Sequence, residues 1–281
     1  MPSSFAIEID IDPVIVQLGP VALRWYSVAI MLGVIVGTAL AARLATRRGI
    51  APDHVYSAAL WVVIAGIVGA RLAHVLDRFD YYRASPGRIL ALYEGGLAIW
   101  GGLVAGALAG WVYARRTGLS FWRLADASTC GVLLGLAIGR VGSIVNGDVA
   151  GKVTSGFGFI YTNPNVAGLL PKPDYFNTPT QPYALYELLW DLAVFGVLLW
   201  LAPRLTLDGT LFLCGVALYS IGRFVLSFLR AEEPFLFGLQ QAQVFALVAM
   251  VVAVYLYLYL RGRRGRLQRS ESSPRPTPAG A

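Results

Sequence analysis

The sequence predicts an all-α polytopic membrane protein with about seven transmembrane helices and an outer-face cap of loops. Three observations carry this. Hydrophobic residues make up 57% of the 281 positions and charged residues only 14%, against about 25% charged in a soluble domain. Seven apolar stretches approach the roughly 20 residues that a helix needs to cross a bilayer. The basic residues, finally, are distributed unevenly among the connections, as cytoplasmic loops require.

The stretches lie at Val21–Leu44, Val55–Leu76, Ala91–Tyr113, Leu124–Ile144, Tyr183–Leu201, Thr210–Leu229 and Gln241–Leu260. The residues before the first, MPSSFAIEIDIDPVIVQLGP, offer neither a basic leader nor an Ala-x-Ala cleavage site. The first stretch therefore reads as a retained span and not as a removed signal peptide. Arg43, Arg47 and Arg48 follow it, Arg115, Arg116 and Arg123 follow the third, and Arg204 follows the fifth. Arg261, Arg263, Arg264, Arg266, Arg269 and Arg275 follow the seventh. With seven crossings all of these fall on one side. Glu8, Asp10, Asp12, Asp77, Asp80, Asp174, Glu232 and Glu233 gather on the other. The N-terminus is then outside and the C-terminus cytoplasmic. The net charge of +7 becomes a topology signal, and no nucleic-acid partner is expected.

A single transmembrane domain over residues 1–261 is expected, with a basic, unstructured cytoplasmic tail over 262–281. Two outer connections are long, 77–90 and 146–182. The second carries NPN, PKPD and NTPTQP, too many prolines for a helix. Its Phe157, Phe159, Tyr161, Tyr175 and Phe176 favour an ordered cap. Cys130 and Cys214 both fall within spans as small apolar fillers. The two histidines, His54 and His74, are too few for a histidine metal cluster. Neither metal nor cofactor is expected.

Chemistry is written in the charges that the apolar runs retain. Arg71, Arg140 and Arg223 each sit in or beside a span, where a guanidinium costs about 2.5–3.5 kcal/mol on the insertion scale. A phosphate is the ligand that best offsets such a charge. Arg140, Ser143 and Gly147 are spaced to share a helix face, with Asn146 at its edge and Asp148 just beyond. Glu94-Gly95-Gly96-Leu97-Ala98-Ile99-Trp100-Gly101-Gly102 implies either an irregular start to the third span or very close helix packing. Arg223 and Arg230, seven apart, point the same way. Glu187, inside the fifth span, is a natural counter-ion for one of the arginines.

Taken in sequence, these segments resemble the bacterial prolipoprotein diacylglyceryl transferases. RWY at Arg24–Tyr26, GARL at Gly69–Leu72 and EGGLAIWGG at Glu94–Gly102 resemble the family's early motifs. GRVGSIVNGDVAG at Gly139–Gly151 resembles its signature GRxGNFxNxExxG. PYALYE at Pro182–Glu187 and GRFVLSFLR at Gly222–Arg230 resemble its PxQLYE and FRxxxEFxR, and Gln243 stands where the last span has GQ. The resemblance implies a multi-pass inner-membrane enzyme without cofactor. Its partners would be phosphatidylglycerol, a prolipoprotein signal peptide with its lipobox cysteine, and the bilayer. The diacylglyceryl group would pass to the cysteine thiol, the first step of lipoprotein maturation.

The resemblance also implies site residues. Arg140 and Arg223 would hold the phosphate, with Asp148 as orienting or proton-accepting carboxylate. Tyr26, Arg71, Gly95, Gly96, Trp100, Ser143, Asn146, Gly151, Arg230 and Gln243 would bind substrate. Five positions depart from the family pattern. Trp100 replaces a histidine proposed as base, Ser143 an asparagine, Asp148 a glutamate, Ala150 a tryptophan and Ser227 a glutamate. With the histidine gone, Asp148 and Glu94 are the remaining candidate bases. The alternative is a non-catalytic or repurposed homologue that binds anionic phospholipid.

Overall fold

The computed structural model describes residues 5–19, 21–91, 95–230 and 232–272, with side chains through Gly262. Its long helices are α1 (Trp25–Thr46), α2 (Pro52–Asp77), α4 (Ile99–Arg116), α5 (Phe121–Asn146), α6 (Tyr183–Leu201), α7 (Thr210–Leu226) and α8 (Gln241–Ser272), with a short α3 (Phe79–Ala84) between the second and third. Six of the long helices are apolar and long enough to cross a membrane. The other, α4, has only 18 residues, dilutes its apolar run with glycines and ends in Arg115 and Arg116.

Packing is set by the smallest residues. Helix α1 lies against α5 where Gly33 and Gly37 face Gly135 and Gly131; a Cβ at Gly33 would come within 2.5 Å of the Gly135 carbonyl oxygen. Helix α4 lies against α2 in the same manner, Gly101 against Gly69 and Gly102 against Gly66. Lipid tails are as apolar as leucine, so helices associate in a bilayer by close van der Waals contact, which small residues permit. Of the two readings of the doubled glycines, both apply: Gly101 and Gly102 pack, whereas Gly95 and Gly96 shape an irregular segment. A third interface, between α5, α6 and α7, is filled by Cys130, Leu133, Val194, Leu198 and Leu211.

Two expected span starts are corrected. Residues Val21–Arg24 form strand β3, which pairs antiparallel with β2 (Val14–Leu18), so α1 begins only at Trp25. The third span does not begin at Ala91. Gly95 and Gly96 have φ of 82° and 77°, a conformation that an α-helix cannot contain, and α4 starts at Ile99. The helix α8 continues to Ser272, into the tail that was expected to lack structure from residue 262; Arg, Leu and Gln there are good helix formers. Residues 273–281 lie outside the described residues, as does Glu94.

At one end of the bundle the segment 147–182 forms a cap. Strand β1 (Ala6–Ile9) pairs in parallel with β4 (Gly158–Tyr161), and Ile9, Ala150, Phe159, Tyr161, Val166, Leu170 and Tyr175 bury one another beneath it. At the opposite end Asp126 of α5, fully buried, accepts from the backbone N–H groups of Gly209 and Phe212 at 2.9 and 2.8 Å and pairs with Arg48 at 2.9 Å. This carboxylate caps the start of α7, which has no capping side chain of its own.

Candidate active site

The three span arginines have different surroundings, and hydrogen bonds separate them. Arg71 is 5% exposed. Its Nε donates to the Ile89 carbonyl at 2.9 Å, Nη1 to Gly95 and Gly96 at 2.5 and 2.9 Å, and Nη2 to Arg88 and Ala91 at 2.6 and 3.2 Å. A guanidinium has five N–H donors, and all are engaged by backbone. Arg71 thus holds the loop before α4 in place. Its donors are filled, and it is not among the residues that line the cavity described below.

Arg140 is the opposite case. It sits in the interior of α5, not at its end, and no hydrogen bond to a described residue fills its guanidinium. What it has is charge: Nη1 is 2.8 Å from Glu187 Oε2 and Nε is 4.0 Å from Asp191 Oδ2, both acids projecting from α6. Arg223 of α7 pairs with the other oxygen of Glu187 and donates to Tyr183 Oη at 3.1 Å. Tyr183 Oη in turn donates to Glu187 Oε1 at 2.8 Å. Two guanidiniums from separate helices therefore meet on one carboxylate. Glu187 is the counter-ion for both arginines, where the sequence suggested one.

Both arginines form the polar end of a cavity of about 740 Å³, together with Tyr26, Ser143, Asp148, Tyr219 and Arg230. Beyond them its walls are Ile30 and Val34 of α1, Val62 and Val63 of α2, and Val132 and Leu136 of α5. The shape is an apolar shaft with a cationic mouth.

The turn after α5 delivers the remaining polar groups. Gly147, at φ 70°, ends the helix, and a Cβ there would press on Val166, Leu170 and Tyr161 of the cap core. Asn146 just before it is buried with Oδ1 unpartnered, and Asp148 just after it carries an unpartnered, shielded Oδ1. Burial pushes the Asp148 carboxyl above its ordinary range, against the pull of Asn146 and of the nearby Arg140 and Arg230 guanidiniums.

Gly151 forms a bridge with Arg230, which follows a 3-10 turn (Ser227–Leu229) after α7, and Lys152 N donates to the Leu229 carbonyl at 2.8 Å. A side chain at Gly151 would collide with Gln181 and Leu229. That close crossing sets the backbone that carries Arg230, whose guanidinium stacks 5.3 Å from the Tyr183 ring and pairs with Glu232.

Four further expected substrate-binding residues, Gly95, Gly96, Trp100 and Gln243, lie away from the cavity. Gly95 and Gly96 belong to the loop that Arg71 gathers. Trp100 stacks on Phe245 of α8, ring centroids 3.6 Å apart. Gln243 is also absent from the cavity wall: its Oε1 accepts from the backbone N–H of Gln240 at 2.9 Å and its Nε2 donates to the Phe224 carbonyl at 3.3 Å. This caps α8 and ties it to α7.

The sequence reading left Asp191, Tyr183 and Tyr219 out of the site. A signal was present, because Glu187 and Asp191 are two acids one helical turn apart in an apolar span, an arrangement that needs cations to face it. Two of the departing positions are accommodated structurally: Ala150 fills the cap core, and Ser227 Oγ donates to the Arg223 carbonyl at 2.6 Å.

A family model described as prolipoprotein diacylglyceryl transferase matches residues 13–259. Three curated relatives bear the name phosphatidylglycerol–prolipoprotein diacylglyceryl transferase. That of Dehalococcoides mccartyi is 36% identical over 250 residues, 88% of this chain and 93% of its own. That of Trichormus variabilis is 36% identical over 254 residues, 86% of this chain and 87% of its own. That of Shouchella clausii is 38% identical over 249 residues, 87% and 88% of the two chains.

Proposed function

The chain belongs to the prolipoprotein diacylglyceryl transferase family, and from that premise we propose how its residues divide the work. The reaction moves the diacylglyceryl group of phosphatidylglycerol onto a prolipoprotein. The acceptor is the thiol of the lipobox cysteine, carried on the signal peptide. Its thiolate attacks the glyceryl carbon; the C–S bond forms as the C–O bond to phosphorus breaks. The electron pair leaves with the phosphate oxygen, releasing glycerol phosphate, and the thiol proton passes to a base.

Each part of this has a counterpart on the cavity wall. The lipid phosphate rests on Arg140 and Arg223, and the apolar shaft between α1, α2 and α5 takes acyl chain. Arg140 has open donors with which to grip the phosphate as charge develops on it. Asp148 accepts the thiol proton, since it is the acid on the cavity wall and its carboxylate oxygen is unpartnered. Tyr26, Ser143, Asn146 and Arg230 line or flank the headgroup, and Gly151 holds Arg230 in register. Arg71, Gly95, Gly96, Trp100 and Gln243 act at a distance, by fixing the loop before α4 and the start of α8. The enzyme works in the bacterial inner membrane, with its cap and N-terminus outside.

The observation that carries this reading is the meeting of Arg140 and Arg223 on one carboxylate at the mouth of an apolar cavity. Its test is complementation of a strain depleted of its own transferase, read as the mobility shift of a model prolipoprotein. Arg140→Ala accumulates in the membrane but fails to produce the lipidated form. Lipidation at the normal rate by that variant refutes the assignment.

A further inference from the structure

One buried group of the cluster has no task in this scheme. Asp191 lies one helical turn beyond Glu187 on α6 and is 1% exposed. Its Oδ2, 4.0 Å from Arg140 Nε, accepts no hydrogen bond. A buried acceptor left unfilled loses its hydration without replacement, so the carboxylate is poorly explained as scaffold. Nor does it touch substrate, for the cavity wall presents Arg140, Arg223 and Tyr219 but neither acid. The charged and titratable groups acting on it are Arg140 of α5, Arg223 of α7 and Glu187 of its own helix, and Tyr219 of α7 belongs to the same cluster.

The cluster is layered: two guanidiniums face the cavity and two carboxylates stand behind them. The reaction changes what the cationic layer holds. Phosphatidylglycerol brings a phosphodiester with one negative charge, whereas glycerol phosphate is a monoester with a charge of about −1.5 to −2 at neutral pH. Arginines strong enough to hold the diester will hold the product more tightly still, and turnover requires its departure. We propose that Asp191 is a positioning residue whose negative charge, placed behind Arg140, weakens the grip on the doubly charged product and so sets its release. The inference rests on the phosphate role of Arg140 and Arg223.

The experiment uses the full-length protein in phosphatidylglycerol vesicles with a lipobox peptide, and glycerol phosphate as inhibitor. Asp191→Asn keeps the shape and removes the charge. Glycerol phosphate should then inhibit at roughly tenfold lower concentration, a reasonable size for one unit charge a few ångströms away in a partly screened site. KM for phosphatidylglycerol and kcat should fall together, and Asp191→Glu should restore inhibition to the native level or weaker. Unchanged inhibition, or a raised KM with kcat intact, overturns the proposal. If Asp191→Asn does not accumulate, Asp191→Glu decides alone, since inhibition stronger than native contradicts a repelling charge. Arg140→Ala is assayed beside them: native transfer by that variant refutes the phosphate reading itself, whatever Asp191 does.

Discussion

Two span arginines do opposite things in this protein, and the number of filled donors tells them apart. Arg71 is saturated by loop carbonyls, while Arg140 is held by charge alone. Both were legible in the sequence as cations in apolar runs. The difference was not, because the partners of Arg71 are backbone oxygens brought back by two glycines whose φ angles no side chain announces. Asp148 yields a sharper expectation. Its pKa is raised by burial from the ordinary value near 3.9. As the proposed base it must be ionised to work, so transfer should fall as the pH drops through a value above the usual aspartate range. The linkage has the matching sign: a raised native pKa stabilises the fold below the unfolded pKa, and that stabilisation is lost as the pH rises through the native one. Asp148→Asn should therefore be at least as stable as the native protein at neutral pH, while transferring slowly and without the acid limb. Thermal unfolding and a pH–rate profile of the purified variant check both halves.

Among the elements, the glycine-lined contact between α1 and α5 has almost no room for a side chain. A Cβ at Gly131 would overlap the carbonyl oxygen of Gly37 and meet the Ala41 Cβ at 3.0 Å. Gly131→Val cannot be absorbed by a rotamer, because the obstacle is backbone, and the helices must separate. Overpacking of this kind costs about 1–3 kcal/mol, and since Tyr26 and Arg140 sit on these two helices the cavity mouth widens as well. The expected result is a lowered unfolding midpoint in detergent together with reduced transfer. A midpoint equal to that of the native protein would contradict the packing argument. The helices themselves were legible from apolar length, whereas two of their starts were not: β3 and the Gly95–Gly96 turn are local conformations that hydropathy averages away.

On the scale of the molecule, the cap and the Asp126 knot mark opposite ends of the bundle, and the arginine-rich connections lie at the knot end. The charge asymmetry was readable residue by residue. The closure of the cap was not, because it depends on β1 meeting β4 across most of the chain. The proposed orientation puts exposed Lys172 outside and exposed Arg116 in the cytoplasm. With both native cysteines within spans, Lys172→Cys should react with an impermeant maleimide in intact spheroplasts, and Arg116→Cys only after lysis. The reverse pattern would invert the assignment.

The parallel pairing of Ala6–Ile9 with Gly158–Tyr161 has a consequence for biogenesis. The first strand to leave the ribosome has no partner until the segment between α5 and α6 has been translated. Long-range pairings of this kind close slowly, so the newborn protein passes through a stage with several helices inserted and its lid still open. In the proposed orientation, chaperones of the outer surface would meet it then, with Ile9 and the aromatic underside of the cap still wet.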